Sequence, residues 1–587
     1  MTLLLLLACD GPAKDTDTAP ADTDTDSDTD TDSDSDTDTD SDTDTDSDTD
    51  TDTDTDGPEL WIYVQSNLQV DENVTSTNAL LDRAAAAGYT GMVLADFKIN
   101  LLHTGVLPEW YAPNLESVLT HAASLGIQVV PAMFPFGYSE GIYYGNPDLA
   151  EGRPVTGSRL CASGGALAMD PVDTGFRDGG FEAHSGDTFT SWTWQDARVA
   201  ADTSVVHGGG AAVRIDAGSD NARVVQTVTL TPHRQYHLSW WMRTEGWSGF
   251  AQVILYDTTT GQVRNYNSLS ASATQGWTRY DVAFDSDDTT TAGVYLGVWG
   301  ASSGTAWFDD VSLEETALVN LIRRDGAPLV ITGEDGTIYD EGRDFDTVAD
   351  PGIATAFDDW HAPPTITLPD GSRIGEGTCV TVDHHVVHPI AGYQVGACLS
   401  EPAVDAWMDD NLAAVSAAFP DATGFMLGYD EMRHANTCDA CQSRGLDAGE
   451  LLAEHVADSL ARVDAARPGA TPYVWSDMFD PNHNAHADYY LAEGDFAGSW
   501  EGLSTDTVVM NWNRGDADSL AFFAGRGHGQ IIAGYYDSGD GAGTAAWELA
   551  AAAGVEGVRG LMYTTWYGDW SQLESYADGA RAAWAAR

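Results

Sequence analysis

The chain has 587 residues, with 26 Lys and Arg against 92 Asp and Glu and a formal net charge of −66. That length exceeds one ordinary domain, so two or three are expected. With 43% hydrophobic residues, 19 Trp and 22 Tyr, bulk disorder and a collagen-like chain are excluded. So acidic a chain would repel phosphates, which excludes nucleic acid as a partner.

The charge is uneven. Residues 10–56 hold 21 Asp and one Lys, Lys14. The acidic remainder favours solubility and suits a salty or extracellular setting. A short apolar run, Leu3 to Ala8, leads into Cys9. It is too short to span a bilayer. It resembles the lipobox of bacterial lipoproteins, in which that Cys becomes the lipidated first residue. Here only Met1 and Thr2 precede the leucines, so the basic segment of that pattern is missing. Residues 15–56 are almost pure Asp-Thr and Asp-Ser repeats, which cannot repay the entropy of ordering; a disordered, extended spacer is expected. The resemblance implies an exported protein on a bacterial cell surface or outer membrane, meeting the membrane only through a lipid at Cys9.

From residue 58 the chain alternates apolar strand-like runs with Ala- and Leu-rich helical stretches. Strands are predicted over 60–64, 91–97 and 127–133, with helices around 78–88 and 115–125. Continuous apolar strands separated by helices indicate a parallel sheet buried on both faces. The rhythm stops near Ala168 and returns near Leu412. Five more strands are predicted over 423–430, 471–477, 507–513, 530–537 and 557–566, with the clearest helix over 447–467. Three and five strands make the eight of a (β/α)8 TIM barrel, an α/β fold.

The interruption alternates instead. Residues 176–315 are rich in Thr, Ser, Val and Trp with Gly turns, which predicts an antiparallel β-sandwich of jelly-roll type. The expected organisation is a signal over 1–9, a linker over 10–57, the first part of the barrel over 58–170, the sandwich over 174–316, a β-rich extension over 317–400 and the second part of the barrel over 401–587. The phrases Gly179-Gly180-Phe181-Glu182, Tyr236-His237-Leu238-Ser239-Trp240 and Trp307-Phe308-Asp309-Asp310 resemble carbohydrate-binding modules of families 4 and 9. Flat rings stack on pyranose faces, so Trp192, Trp194, Trp241, Trp247, Tyr266 and Trp299 are candidate sugar contacts; alternation puts about half of such rings in the core.

Five cysteines follow Cys9: Cys161, Cys379, Cys398, Cys438 and Cys441. The number is odd, so at least one is unpaired within the chain. Cys438-Asp-Ala-Cys441 reads as a zinc half-site, a redox pair or a local disulfide. The last is favoured, because no second such pair follows and the chain is expected to be exported. Asp383-His384-His385 with His388 is read as a substrate-binding or decorative cluster. No metal and no cofactor are expected.

The segment Gly424-Phe425-Met426-Leu427-Gly428-Tyr429-Asp430-Glu431 is a buried-type strand that ends in two acids. Such carboxylates are costly unless they work or pair. One can protonate a leaving oxygen while the other stays ionised. Here the barrel resembles the family 20 glycoside hydrolases, the β-N-acetylhexosaminidases, which carry Gly-x-Asp-Glu at this point. Trp475-Ser476-Asp477, Asn511-Trp512, Tyr535-Tyr536-Asp537 and Thr565-Trp566 resemble its later strand motifs in order. The resemblance implies Glu431 as general acid/base and Asp430 orienting a substrate acetamido group that acts in place of an enzyme nucleophile. It implies Trp475, Trp512 and Trp566 as subsite walls, Tyr535 bonded to the acetamido oxygen and Asp537 bound to a sugar hydroxyl. The family's first-strand Arg is absent, since this strand ends Val64-Gln65-Ser66-Asn67, and its second eighth-strand acid is displaced to Asp569. A two-carboxylate mechanism would instead draw its second acid from Asp477, Asp537 or Asp96.

The expected function is acid/base hydrolysis of a poly- or oligosaccharide with retention. Its rivals are a non-catalytic surface glycan-binding lipoprotein and a glycosidase of another family using two enzyme carboxylates.

Overall fold

The computed structural model describes residues 57–265, 269, 271–353, 357, 359–390 and 394–587. Cys9, the 10–56 spacer and Tyr266 lie outside the described residues. The architecture is mixed α/β: a closed barrel of eight parallel strands together with antiparallel sheets. The barrel strands are β1 (Glu59–Val64), β2 (Gly91–Leu94), β3 (Gln128–Met133), β4 (Gly424–Leu427), β5 (Thr471–Trp475), β6 (Val508–Asn511), β7 (Gly529–Tyr535) and β8 (Val558–Thr564). Each overlaps a predicted strand, and most stop short of its predicted C-terminal end. The ladder ends where the chain turns outward with its polar residues, so Asp430 and Trp512 sit on loops and Asp477 opens a 3-10 turn.

Residues on alternate sides of each strand meet different layers. Trp61 and Tyr63 point into the barrel with Met426, Trp475, Met510 and Met562. Leu60, Ile62 and Val64 face the helices. Both sides are dry, which is why these strands read as continuous apolar runs. The barrel closes through Tyr63 opposite Thr564, and through Leu427 opposite Met133 although residues 134–423 intervene.

Helices α1 (Asp71–Ala86), α2 (Tyr111–Ser124), α3 (Pro402–Ala418), α4 (Ala448–Ala466), α5 (Ala517–Gly525), α6 (Gly541–Ala551) and α7 (Leu573–Trp584) cover it. Asp447 and Glu450 form a capping box that starts α4 where the sequence predicts it. Between β5 and β6 the described residues form two 3-10 turns and a single β-bridge, Ala487 to Asp495, in place of an α-helix.

Two seven-stranded antiparallel sheets fill the interruption. The larger takes strands from residues 194–316 and has its own apolar core around Phe181, Trp192, Leu238, Trp240, Leu296 and Phe308. The smaller pairs Cys379–Val386 with Arg153–Ser163, next to Ala166–Met169. Residues 153–169 therefore leave the barrel, where the sequence reading puts them. Their burial alternates along the strand, as suits a one-sided antiparallel sheet.

Cys161 and Cys379 face each other in this register and form a disulfide. The local Cys438–Cys441 disulfide is not made: Cys398, Cys438 and Cys441 are reduced. Cys438 caps the short helix Asp439–Gln442, and both its sulfur and that of Cys441 turn toward Cys398.

The larger sheet braces the barrel. Asp287 bonds Arg153 and Arg264, while Arg153 also donates to the Leu491 carbonyl and Gln262 to that of Tyr490. The loop 489–491 after β5 is thus held from both sides.

Candidate active site at the barrel mouth

The strand ends gather one carboxylate cluster. Glu431 follows β4 in a left-handed conformation, φ 48°. One of its oxygens lies 2.9 Å from the Arg433 guanidinium. Its other oxygen accepts from the Tyr138 hydroxyl and from Gln394 Nε2 at 3.1 Å. Arg433 also bonds Gln394 and lies over the Tyr490 ring, 4.5 Å from its centre. The backbone N–H of Glu431 donates to Asp477 Oδ2 at 2.8 Å.

Asp430 stands differently. Among the described residues no side-chain donor is hydrogen-bonded to it. Burial first, then the neighbouring carboxylates Asp477 and Glu431, push it well above the usual carboxylate range. Close packing fixes its position: a side chain at Gly137 would strike the Asp430 carbonyl. Asp477 is fully buried and also raised by burial. Its oxygens accept from Asn484 Nδ2 at 2.9 Å and Trp512 Nε1 at 3.0 Å as well as from Glu431. It positions the site and has little left to offer a ligand.

Aromatic rings form the floor and walls. Trp475 and Trp566 lie 5.2 and 5.9 Å from Tyr63, and Tyr536 lies 5.6 Å from Trp566 and 6.5 Å from Trp512. Three sequence-predicted tryptophans therefore meet. Burial and Asp430 raise the Tyr63 phenol, which places it against the acid cluster. Tyr536, raised first by burial, also feels Asp477 and Glu431.

Besides Asp477, three predicted residues are committed to partners within the protein. Tyr535 is fully buried between barrel and helices, stacked 4.2 Å from Tyr563, and donates to Asp569 at 2.7 Å. Ile531 and Ala533 face the barrel interior, but the alternation breaks at Tyr535, whose positive φ of 78° leaves its ring on the helix side with Ile532, and Tyr536 takes the mouth. Asp96 is 2% exposed and accepts from Leu68 N, Lys98 N and the Tyr111 hydroxyl, capping the turn after β2. Asp537 accepts from the Thr565 hydroxyl and from the backbone N–H groups of Trp566 and Tyr567. It positions Trp566 rather than facing the cavity.

Sequence reasoning missed Tyr63, Tyr138, Gln394 and Tyr536. Tyr138 and Gln394 carry no motif and come from the loop after β3 and from the interruption.

On the larger antiparallel sheet, Trp192 and Trp247 are core residues. Trp194, 45% exposed, joins Tyr295 and Trp299 around the Arg223 guanidinium, each ring centre about 5.5 Å away. Gly297 is the register partner of Arg223, and a side chain there would strike the Ala222–Arg223 backbone. Trp241 stacks on His207 at 3.8 Å. His384 accepts from Leu318 N, and among the described residues His384, His385 and His388 do not gather into a metal-ligand set.

No family model matches the chain, and no curated protein matches it. Among solved structures, it is similar to TmCBM61 in complex with beta-1,4-galactotriose: 18% identity, 25% of this chain, all of that one, TM-score 0.20. It is similar to a structure described as "CBM4 structure and function": 17% identity over 24% of this chain and 99% of that one, TM-score 0.19. A rhamnosidase from Novosphingobium sp. PP1Y matches at 12% identity over 90% of this chain and 59% of that one, TM-score 0.31. The functional reading rests on the side chains at the barrel mouth.

Proposed function

We propose that this chain is a glycoside hydrolase. Its barrel is of TIM type, with the active site at the C-terminal strand ends, and the larger antiparallel sheet belongs to a sandwich-type sugar-binding module. One observation carries the reading: an acid crowded by other carboxylates and an acid salt-bridged to Arg433 stand adjacent on one loop beside five aromatic rings.

The different surroundings of the two acids assign their roles: Asp430 is raised by burial and by Asp477 and Glu431, and Glu431 is paired with Arg433. Asp430, neutral at higher pH than an ordinary carboxyl, supplies the proton to the leaving glycosidic oxygen. Glu431, fixed by Arg433, Tyr138 and Gln394, stabilises the positive charge that develops on the sugar ring. This reverses the division implied by the family 20 resemblance. Two further features weaken the acetamido-assisted form of the reaction: the first-strand Arg is absent, and Tyr535 is turned away from the mouth. An exported, lipid-anchored location follows from Cys9 and the acidic spacer, and the Trp194–Tyr295–Trp299 surface is the module's sugar platform.

The test is hydrolysis of aryl N-acetylglucosaminides, N-acetylgalactosaminides, galactosides, glucosides and rhamnosides by wild type, Asp430→Asn and Glu431→Gln. Loss of the proton donor should cost about 10²–10⁴-fold on sugars with poor leaving groups. It should cost far less on dinitrophenyl glycosides, which need no proton. That pattern at Asp430 supports the assignment; the same pattern at Glu431 restores the family's division. Glu431 is salt-bridged, and that favours one other reading, a barrel that binds glycans without turnover. Failure of wild type to cleave any member or a mixed polysaccharide extract, with binding retained on a glycan array, would establish it.

A further inference from the structure

Behind the mouth, three cysteines and a glutamate meet out of reach of solvent. Cys398, Cys438, Cys441 and Glu151 are each 0% exposed. Cys398 Sγ lies 3.5 Å from the sulfurs of both Cys438 and Cys441. Glu151 Oε2 lies 3.6 Å from Cys438 Sγ and 3.5 Å from Cys441 Sγ. All four atoms lie within 4.8 Å of one another. We propose that they form a closed, structural zinc site.

The spacing matches the ion. Zinc–sulfur bonds of about 2.3 Å and zinc–oxygen bonds of about 2.0–2.2 Å, set tetrahedrally, require S···S edges of about 3.8 Å and S···O edges of about 3.5 Å. The carboxylate is already aimed. Its other oxygen, Oε1, accepts from Thr437 N at 2.7 Å, Cys438 N at 2.8 Å and the Thr437 hydroxyl at 3.2 Å, which leaves Oε2 facing the sulfurs. Arg324 supplies the outer charge. Its guanidinium donates to Cys438 Sγ at 3.2 Å and to the carbonyls of Asp148 and Ala150. A cation there offsets the excess negative charge of three thiolates and a carboxylate around a divalent ion.

Disulfide chemistry accounts for the cluster less well. Any pairing among three sulfurs leaves one thiol, and it leaves Glu151 Oε2 buried against sulfur with only a weak donor. Three thiolates select zinc over magnesium or calcium, and four protein ligands leave no open position for catalysis.

The site would staple the active-site wall. Cys398 lies four residues after Gln394, Cys438 seven after Glu431, and Glu151 N bonds the Gly396 carbonyl at 2.8 Å. The ion would tie the segment bearing Gln394 to the turn bearing Glu431 and Arg433. It acts through their position and touches no substrate. The proposal does not depend on the glycosidase reading, because metal content decides it.

The full chain, purified without chelator, should hold one zinc per molecule through dialysis. Titration with a mercurial should release that zinc as three thiols react. Cobalt in its place should give an intense near-ultraviolet thiolate charge-transfer band and the visible bands of a tetrahedral ion. Cys398→Ser and Cys441→Ser should lose stoichiometric zinc, Glu151→Gln should bind it at least about tenfold more weakly, and the Cys161→Ser/Cys379→Ser double variant should keep it. If a variant does not fold, the cobalt spectrum of the wild type decides. The proposal is overturned if the reduced wild type takes up no zinc. It is equally overturned if peptide mapping finds Cys398 disulfide-bonded to Cys438 or Cys441.

Discussion

Asp430 and Glu431 are neighbours in sequence, yet their surroundings have opposite effects. Glu431 lies among donors, whereas Asp430 is crowded by the carboxylates of Asp477 and Glu431. The sequence shows two acids at a strand end but not this division, because Gln394, Tyr138 and Asp477 come from distant segments. The pH consequence has a definite sign. Asp430 must be protonated to act, and its raised pKa keeps it so above the usual carboxylate range. The rate should therefore fall as pH rises through that raised value, and the alkaline limb should vanish for dinitrophenyl substrates. Tyr535 and Tyr536 give a second test. Tyr535→Phe loses the bond to Asp569 and should cost about 0.5–1.5 kcal/mol of stability with KM unchanged. Tyr536→Ala should raise KM while the melting temperature stays near that of wild type.

At the scale of elements, the end of β7 is the most constrained. Tyr535, Tyr536 and Asp537 all have positive φ, at 78°, 45° and 57°. Non-glycine residues in that region store strain, which the surroundings must hold. Glu548 on α6 holds it here: its carboxylate accepts from Tyr535 N at 3.1 Å and from the Tyr576 hydroxyl at 2.7 Å, beside Arg514. Burial pushes Glu548 up to about 7. The folded chain thus keeps a proton that the unfolded chain releases above about 4.5. Stability from this group is full at low pH and declines as pH rises from about 4.5 to about 7. Glu548→Gln should flatten that part of a melting-temperature profile measured over the same interval. An unchanged slope would place the titration elsewhere.

Over the whole molecule, the barrel depends on a long return. Strands β3 and β4 pair although residues 134–423 lie between them. The Cys161–Cys379 disulfide closes a 218-residue separation within that interruption. By loop entropy such a link stabilises by up to about 5 kcal/mol. Reductant, or the Cys161→Ser/Cys379→Ser double variant, should therefore lower the melting temperature by several degrees. The barrel carboxylates are tied into the interruption as well, through Gln394 and through the braced loop at 489–491. Deleting 174–316 should weaken activity more than loss of a remote binding module would, measured as kcat on a soluble aryl glycoside.

Sequence by itself determined the eight strands, the alternating interruption and the acids and tryptophans at the strand ends. Those features are written in local periods: continuous apolar runs for strands buried on both faces, alternation for one-sided sheets, and polar residues where the chain leaves the ladder. Tertiary structure decided which side chains meet. A break in strand alternation at the positive-φ end of β7 exchanged Tyr535 for Tyr536. A local cap claimed Asp96, and a loop tie claimed Asp537. Residues 153–169 joined a sheet completed more than two hundred positions later. The cysteine pairings changed for the same reason: Cys438 and Cys441 are three positions apart in sequence, but their sulfurs meet Cys398 and Glu151, and only the folded chain brings those together.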